Sequence, residues 1–230
     1  MLIDADAQGH ATLRCGFPKA GKLYDLLVRD EDWSECAVVV PVKRYEIEGC
    51  TPGKLYLLPS NVETRNIAGS IDSVEKLAIR IEELREDDLV DLVIIDTSPT
   101  PSLFHASIYI ATDGIIFPTT LSFTSFDGLN MGMLHKQGAD VGRKSRFQMP
   151  PIQLLGIVPI MSRLSTLEQA DNLNTLKKQY GNSVWMDLPL RTLWTETESR
   201  ALPVWQLDAN SDATKEFWTV YQALEEVLNG

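Results

Sequence analysis

Positive charge is what this sequence has least of for its size. Twenty-one Lys and Arg stand against 32 Asp and Glu, a formal net charge of −11. That balance opposes whole-molecule attraction to nucleic acid or to an anionic membrane; any such contact needs a local basic patch or a dimer face. Cysteine is scarce. Cys15, Cys36 and Cys50 have no metal-ligand spacing, and an odd number without a signal peptide points to a reducing cytoplasm, not a disulfide framework. His10, His105 and His135 are scattered along the chain, which argues against zinc. No apolar run reaches the ~18 residues of a membrane span. Met1 leads straight into an apolar β-run, which leaves no targeting segment. The expectation is a cytoplasmic protein without a membrane partner.

What is present is ordinary in bulk and specific in pattern. Of 230 residues, 44% are hydrophobic and 23% charged, as in a soluble globular domain. There is no internal repeat, low-complexity segment or linker, so a single domain over residues 1–230 is expected. Asp91-Leu-Val-Ile-Ile-Asp96 reads as a buried parallel strand that delivers a carboxylate to its C-terminal tip. Met1-Leu-Ile-Asp4-Ala-Asp6 is a second stretch of that kind. Ligands of open α/β sheets bind off such tips, and two acid-ended strands with a glycine nearby suggest a phosphate and Mg²⁺ site. The bland alternative is that each aspartate starts a turn or caps a helix.

Other β-runs are Ala37–Val40, Lys54–Leu58, Gly114–Pro118, Leu154–Met161 and Val184–Leu190. Pro159 predicts an irregular end to the Leu154 strand. Helical periodicity marks 21–28, 73–86, 102–111, 126–135, 167–180 and 214–228, with a polar, basic loop over 138–151. The last helix carries Glu216, Glu225 and Glu226 on its polar side, so it docks on the core instead of lying on a membrane. Strands alternating with helices predict an α/β fold, a mostly parallel, doubly wound sheet covered on both faces.

Gly16-Phe-Pro-Lys-Ala-Gly21-Lys22 fits G-x-x-x-x-G-K. The residue after it is Leu23, so the Mg²⁺-binding hydroxyl of a phosphate loop is missing. No buried strand precedes it, and Pro18 removes an N–H donor. It is expected to be a loop leading into a helix.

In order along the chain, these segments resemble the ParA/MinD/Soj partition ATPases, the deviant-Walker-A branch of the P-loop NTPases. Ile3-Asp4-Ala-Asp6-Ala-Gln8-Gly9-His10-Ala-Thr12 resembles the D-x-D-P-Q-G-N-A-T segment. Leu23–Leu27 resembles the family's "LYDLL" and Leu57–Asn61 its "LIPSN". Val93-Ile-Ile-Asp96-Thr-Ser-Pro99 resembles the Walker B strand with its turn, and Phe117-Pro118 with Phe126-Asp127-Gly128-Leu129 a later pair. Gly156-Ile-Val and Leu188-Pro189 stand where later strands do.

The resemblance implies ATP and Mg²⁺ as cofactors. It implies that Asp6 orients the attacking water, that Asp4 and Asp96 lie in the Mg²⁺ shell, and that Gln8 and Gly9 flank the nucleotide. Met161 and Pro189 fall where the adenine pocket lies. It also implies an ATP-sandwich homodimer or a ParA-like partner, a ParB-like activator or cargo adaptor, and non-specific DNA binding. This sequence departs from the pattern at several points. The family's first central strand and lysine-bearing phosphate loop precede the D-x-D strand, and here nothing stands before Met1; they are expected to be missing. Ala7 and Ser98 replace prolines. Leu190 and Leu193 stand where arginines are frequent, with Arg191 and Arg200 shifted, which weakens the expectation of DNA binding. Three readings follow: a ParA-like ATPase, an inactive ParA-like module that pairs with a full-length relative or adaptor, and an unrelated metal-dependent enzyme using the two acid-ended strands.

Overall fold

A computed structural model describes residues 1–98 and 100–229. In chain order the strands are β1 (Leu2–Ala5), β2 (Val38–Val39), β3 (Tyr56–Leu58), β4 (Ile94–Thr97), β5 (Gly114–Thr120), β6 (Gln153–Ser162) and β7 (Leu188–Pro189). The helices are α1 (His10–Arg14), α2 (Lys22–Val28), α3 (Trp33–Cys36), α4 (Thr64–Ser70), α5 (Lys76–Glu86), α6 (Leu103–Ala111), α7 (Phe123–Gly142), α8 (Leu167–Tyr180), α9 (Thr192–Arg200), α10 (Val204–Leu207) and α11 (Asp212–Asn229). The α/β class with mostly parallel strands is as expected. The strands form two sheets, of four and three members. The chain divides into two compact units, Met1–Thr112 with Thr197–Gln206, and Asp113–Glu196 with Leu207–Gly230.

In the first unit the sheet order is β2-β3-β1-β4. β1 lies parallel to both β3 and β4, and β2 runs antiparallel to β3. Ile3, Leu23, Leu26, Leu58, Ile67 and Leu77 are completely buried in one core. Leu23, Leu26 and Leu27 of α2 reach it because spacings of three and four residues return to one helix face. Ser102 caps α6 by accepting the His105 N–H at 3.0 Å, which satisfies one of the helix's free donors. The returning segment 197–206 fastens onto the 41–46 turn. Trp205 Nε1 donates to the Glu46 carbonyl at 3.2 Å, and the Gln206 amide to Lys43 and Glu46. Arg44 donates to the Ala201 carbonyl at 3.3 Å. The Arg44 guanidinium also lies over Gly16, whose φ is +80° and where a Cβ would come within 2.2 Å of Arg44 Cζ; only glycine suits that place.

In the second unit β5, β6 and β7 are all parallel. Its core gathers Leu121, Leu129, Ile157, Leu173, Leu176 and Val184. Gly156 lies under the Trp185 ring, which a Cβ would meet at 2.3 Å. Pro118 is tolerated because β5 is an edge strand, where a missing N–H breaks no ladder. The irregularity predicted from Pro159 falls two residues later. The register slips between Ile160 and Ser162, and Met161 has φ +54°. α11 packs against β6 and β7, as its acidic outer face predicted.

Several boundaries differ from expectation. The Asp96 strand begins at Ile94, not Asp91, and the last strand is only Leu188–Pro189 with an isolated bridge from Val184 to Ile157. Both ends are set by how far a neighbour extends, which periodicity does not report. The helix expected over 126–135 is α7, extended at both ends. Its exit, Arg143–Phe147, is one π turn where a loop was expected. The reason is Arg143, whose side chain is fully buried and whose Nε donates to the Pro150 carbonyl at 2.8 Å. Pro99, part of the Walker B resemblance, lies outside the described residues.

Candidate functional site

The acid-ended strands do lie side by side. In the parallel register of β1 and β4, Asp4 is the partner of Asp96. Paired residues of neighbouring parallel strands point to the same face, so both carboxylates leave the sheet together at its C-terminal end. Asp6 follows on the turn after β1.

Asp4 is buried with 0% exposure. One of its oxygens accepts the Thr12 N–H at 2.7 Å and the Thr12 hydroxyl at 2.6 Å. The other accepts the Asp6 N–H at 3.3 Å. Thr12, also fully buried, uses its hydroxyl oxygen to accept the Ser60 N–H at 3.1 Å. Ser60 in turn donates its hydroxyl to the Asp6 carbonyl at 2.6 Å. Asp4 therefore ties the start of α1, the Asp6 turn and the end of β3 into one network. The turn closes on Gly9, whose N–H donates to the Asp6 carbonyl at 2.9 Å. Gly9 has φ +62°, and a Cβ there would come within 3.0 Å of Lys19 Cγ and the Ser60 carbonyl. Asp6 Oδ1 accepts the Gln8 N–H at 2.9 Å and Gln8 itself is exposed.

Asp96 behaves differently. Solvent reaches the residue, yet the strand tip around it desolvates its carboxylate, and the charges of Asp4 and Asp6 add to that; its pKa is raised. Arg14 and His10 act in the opposite sense without cancelling it. Arg14 is itself shared with Glu198 at 3.8 Å. A raised folded-state pKa in an acid means the ionised form is disfavoured by folding. The penalty is absent below the ordinary carboxylate pKa, grows as pH rises through that value, and is complete above the raised one. Asp96→Asn is therefore expected to raise the thermal unfolding midpoint at pH 7, to give no gain in acid, and to lose part of its gain in high salt. Equal midpoints at pH 7 would remove the crowding argument.

Mg²⁺ commonly binds through one or two carboxylates and keeps several waters. Asp96 and the half-buried Asp6 suit that mode. Asp4 has its lone pairs committed to three donors. Among the described residues no group of three or more His, Cys, Asp or Glu forms a metal cage. A triphosphate asks for more: backbone N–H groups and fixed cations. The Gly16–Lys22 loop does not provide them. Lys22 is paired with Asp25 at 3.3 Å and Glu31 at 3.5 Å. A Cβ on Gly21 would meet Glu63 Oε2 at 2.2 Å, so a carboxylate lies against this end of the loop. Lys22→Ala is expected to leave Mg²⁺-dependent nucleotide affinity unchanged in a titration; a loss of about tenfold or more would restore the loop as a phosphate site.

Met161 and Pro189 belong to the second unit, at the C-terminal ends of β6 and β7, where Ser162 and Pro189 are register partners. Ser162 donates its hydroxyl to Asp187. Of the arginines considered for DNA, Arg191 is clamped by Glu216, with Nε at 2.9 Å and Nη2 at 2.5 Å, and by Asp212 at 3.9 Å. Sequence reasoning did not single out Thr12, Ser60, Arg14 or Lys19. The signal for Thr12 was its spacing of eight from Asp4, one strand-to-helix turn.

The family model described as "AAA domain" matches residues 1–139. Among relatives, the sporulation initiation inhibitor protein Soj of Bacillus subtilis is 26% identical over 133 residues, 56% of this chain and 49% of Soj. The chromosome-partitioning ATPase Soj of Thermus thermophilus is 25% identical over 200 residues, 86% of this chain and 72% of its own length. The chain thus spans about half the length of the first of these relatives. Among solved structures, apo McdA of Cyanothece superposes with a TM-score of 0.76 at 20% identity, over 97% of this chain and 86% of McdA. The cell division ATPase MinD of Pyrococcus furiosus gives 0.69 at 16%, over 98% and 85%. These last two likenesses carry the fold. With the AAA-domain model covering well over half of the sequence, this chain belongs to that family, and it is similar in sequence to the Soj proteins and in fold to McdA and MinD.

Proposed function

We propose that β1 and β4 form the magnesium-and-water side of a partition-type ATPase, with ATP as the substrate. The observation that carries this reading is the in-register pair Asp4 and Asp96, with Asp6 on the adjoining turn. Phosphoryl transfer asks a protein for positioning and charge compensation more than for covalent chemistry. Mg²⁺ would supply the charge that the phosphates and acids need. Asp96 would help to hold it. Asp6 orients the attacking water, its backbone fixed by Ser60, Gly9 and Asp4. Asp4 contributes its charge and the shape of the turn, with three of its roughly four lone-pair sites already taken. Gln8 and Gly9 border the nucleotide. ATP-dependent homodimerisation, a ParB-like activator or cargo adaptor, and a role in plasmid, chromosome or cargo partitioning in the cytoplasm follow from the same reading. Non-specific DNA binding has less support, because Arg191 is neutralised within the protein.

The test is phosphate release by the purified protein with ATP and Mg²⁺, alone and with a ParA-type relative. Turnover that Asp6→Ala abolishes, while Mg²⁺-ATP affinity stays within about twofold, supports the reading. Turnover indifferent to Asp6→Ala overturns the assignment of Asp6, and no turnover in either setting overturns hydrolysis. Absence of turnover favours a silent module that pairs with a full-length relative or adaptor. The pairing of Lys22 with Asp25 and Glu31 is the observation on that side.

A further inference from the structure

Thr197–Gln206 belongs to the first unit, while the chain on either side of it belongs to the second. Within this segment only Val204 is buried. What holds it is a few single hydrogen bonds: Arg44 to the Ala201 carbonyl, and Trp205 and Gln206 to the 41–46 turn. Ala201 has φ +50°, a left-handed conformation that is costly for a residue with a Cβ. Such strain persists only where the surrounding contacts enforce it. The segment is therefore lightly fastened, and one fastening point is strained.

Two lines run from this segment to α1. Arg44, which holds Ala201, lies against Gly16, and the Gly16 N–H donates to the Leu13 carbonyl at 2.9 Å. Glu198 pairs with Arg14 at 3.8 Å. Arg14 is the last residue of the helix whose Thr12 binds Asp4. His10 and Arg14, four residues apart on one helix face, are the cations whose charge bears on Asp96. The Arg14 and Glu198 side chains are 58% and 60% exposed. So open an ion pair is weak in water, and an anion held more firmly at the acid-tipped strands can take Arg14 from Glu198.

We propose that Thr197–Gln206 is an autoinhibitory strap. While it is seated, Glu198 withholds Arg14 from the acid-tipped site. When it lifts, Arg14 pairs with a phosphate of the bound nucleotide. A guanidinium meets phosphate oxygens through two parallel N–H bonds, a closer match than the long contact to Glu198. Linkage makes the relation reciprocal: whatever lifts the strap tightens the nucleotide, and the nucleotide loosens the strap to the same degree. This gating presupposes that the acid-tipped strands bind a Mg²⁺-nucleotide, as proposed above.

Titration calorimetry of the full chain with Mg²⁺-ATP reads one direction. Glu198→Gln keeps the size of the side chain and removes its charge; it is expected to tighten Mg²⁺-ATP about fivefold. Gln206→Ala deletes two strap bonds, leaves both charges in place, and is expected to act in the same sense. In an Arg14→Gln background the gain from Glu198→Gln is expected to vanish. A gain that persists there is the general effect of removing one negative charge, and overturns the role of Arg14. Hydrogen exchange reads the other direction. The Ala201 and Leu202 amides donate within the strap to the Glu198 and Thr197 carbonyls, and are expected to exchange about fivefold faster in saturating Mg²⁺-ATP. If the wild type binds Mg²⁺-ATP and the two strap variants bind it equally well, or if these amides do not speed up, the strap is overturned and the nucleotide reading stands. No binding by the wild type or by either strap variant overturns both.

Discussion

Asp4→Ala is expected to lower the stability of the protein by about 3–5 kcal/mol, read as a fall in the urea midpoint with an unchanged slope. Three donors lose their acceptor at once: the Thr12 N–H, the Thr12 hydroxyl and the Asp6 N–H. Bonds to an ionised group are each worth roughly 1.5–3 kcal/mol. The sum is not simply additive, since all three converge on one side chain. Water cannot easily replace the carboxylate, because Asp4 and Thr12 are both fully buried. Thr12→Val tests the same network from its other end. It keeps the volume and the backbone donor but removes the hydroxyl that both gives to Asp4 and receives from Ser60. Its expected cost is about 2–3 kcal/mol. In the double variant the two losses are expected to overlap by more than about 1 kcal/mol. Full additivity, or an Asp4→Ala cost below about 1 kcal/mol, would mean that the turn holds its shape without this network.

Arg143→Ala is the second large effect, at about 3–5 kcal/mol. The guanidinium is wholly buried where α7 gives way to the π turn. It donates to the Pro150 carbonyl and lies 3.9 Å from Asp113. Burial pushes its pKa down, and Asp113 and Asp140 push it back up. Its own carbonyl accepts the Met149 N–H at 3.0 Å. The side chain thus clamps the return from α7 into β6. Alanine leaves a cavity, an unmatched Pro150 carbonyl and less charge opposite two acids. Arg143→Met fills much of the space without a charge to desolvate and is expected to recover about half the loss. If both variants unfold at the wild-type midpoint, the π turn is held by its backbone alone.

The parts of this fold that were legible in the sequence are those where one short stretch carries its own evidence. Leu23, Leu26 and Leu27 announce a buried helix face by spacing. Ile94-Ile95-Asp96 announces an acid-tipped strand by composition, and the two such strands are adjacent in register. The unread parts depend on distant partners. α1 is five residues long and begins at a left-handed Gly9 without a side-chain cap, so no local signal marks it. Thr12 looks like any helix threonine until Asp4 and Ser60 are seen around it. The π turn is invisible because the basic run Arg143-Lys144-Ser145-Arg146 reads as solvated, whereas Arg143 is inside. Lys22 stood one residue short of a phosphate-loop motif and was expected to lead into a helix; it does, and Asp25 and Glu31 pair with it.

The return of residues 197–206 to the first unit has a consequence during synthesis. The 41–46 turn is made early, but the residues that hold it, Ala201, Trp205 and Gln206, follow the whole first stretch of the second unit. At about 5–20 residues per second, the emerging chain waits roughly 5–20 seconds between finishing Thr112 and offering this closure. The first unit thus waits for residue 206 before it can close, and the second unit still lacks its last helix at that point. A nascent chain stalled near residue 139, where the family match ends, holds β1 to β4 together with an open flank that a chaperone can read.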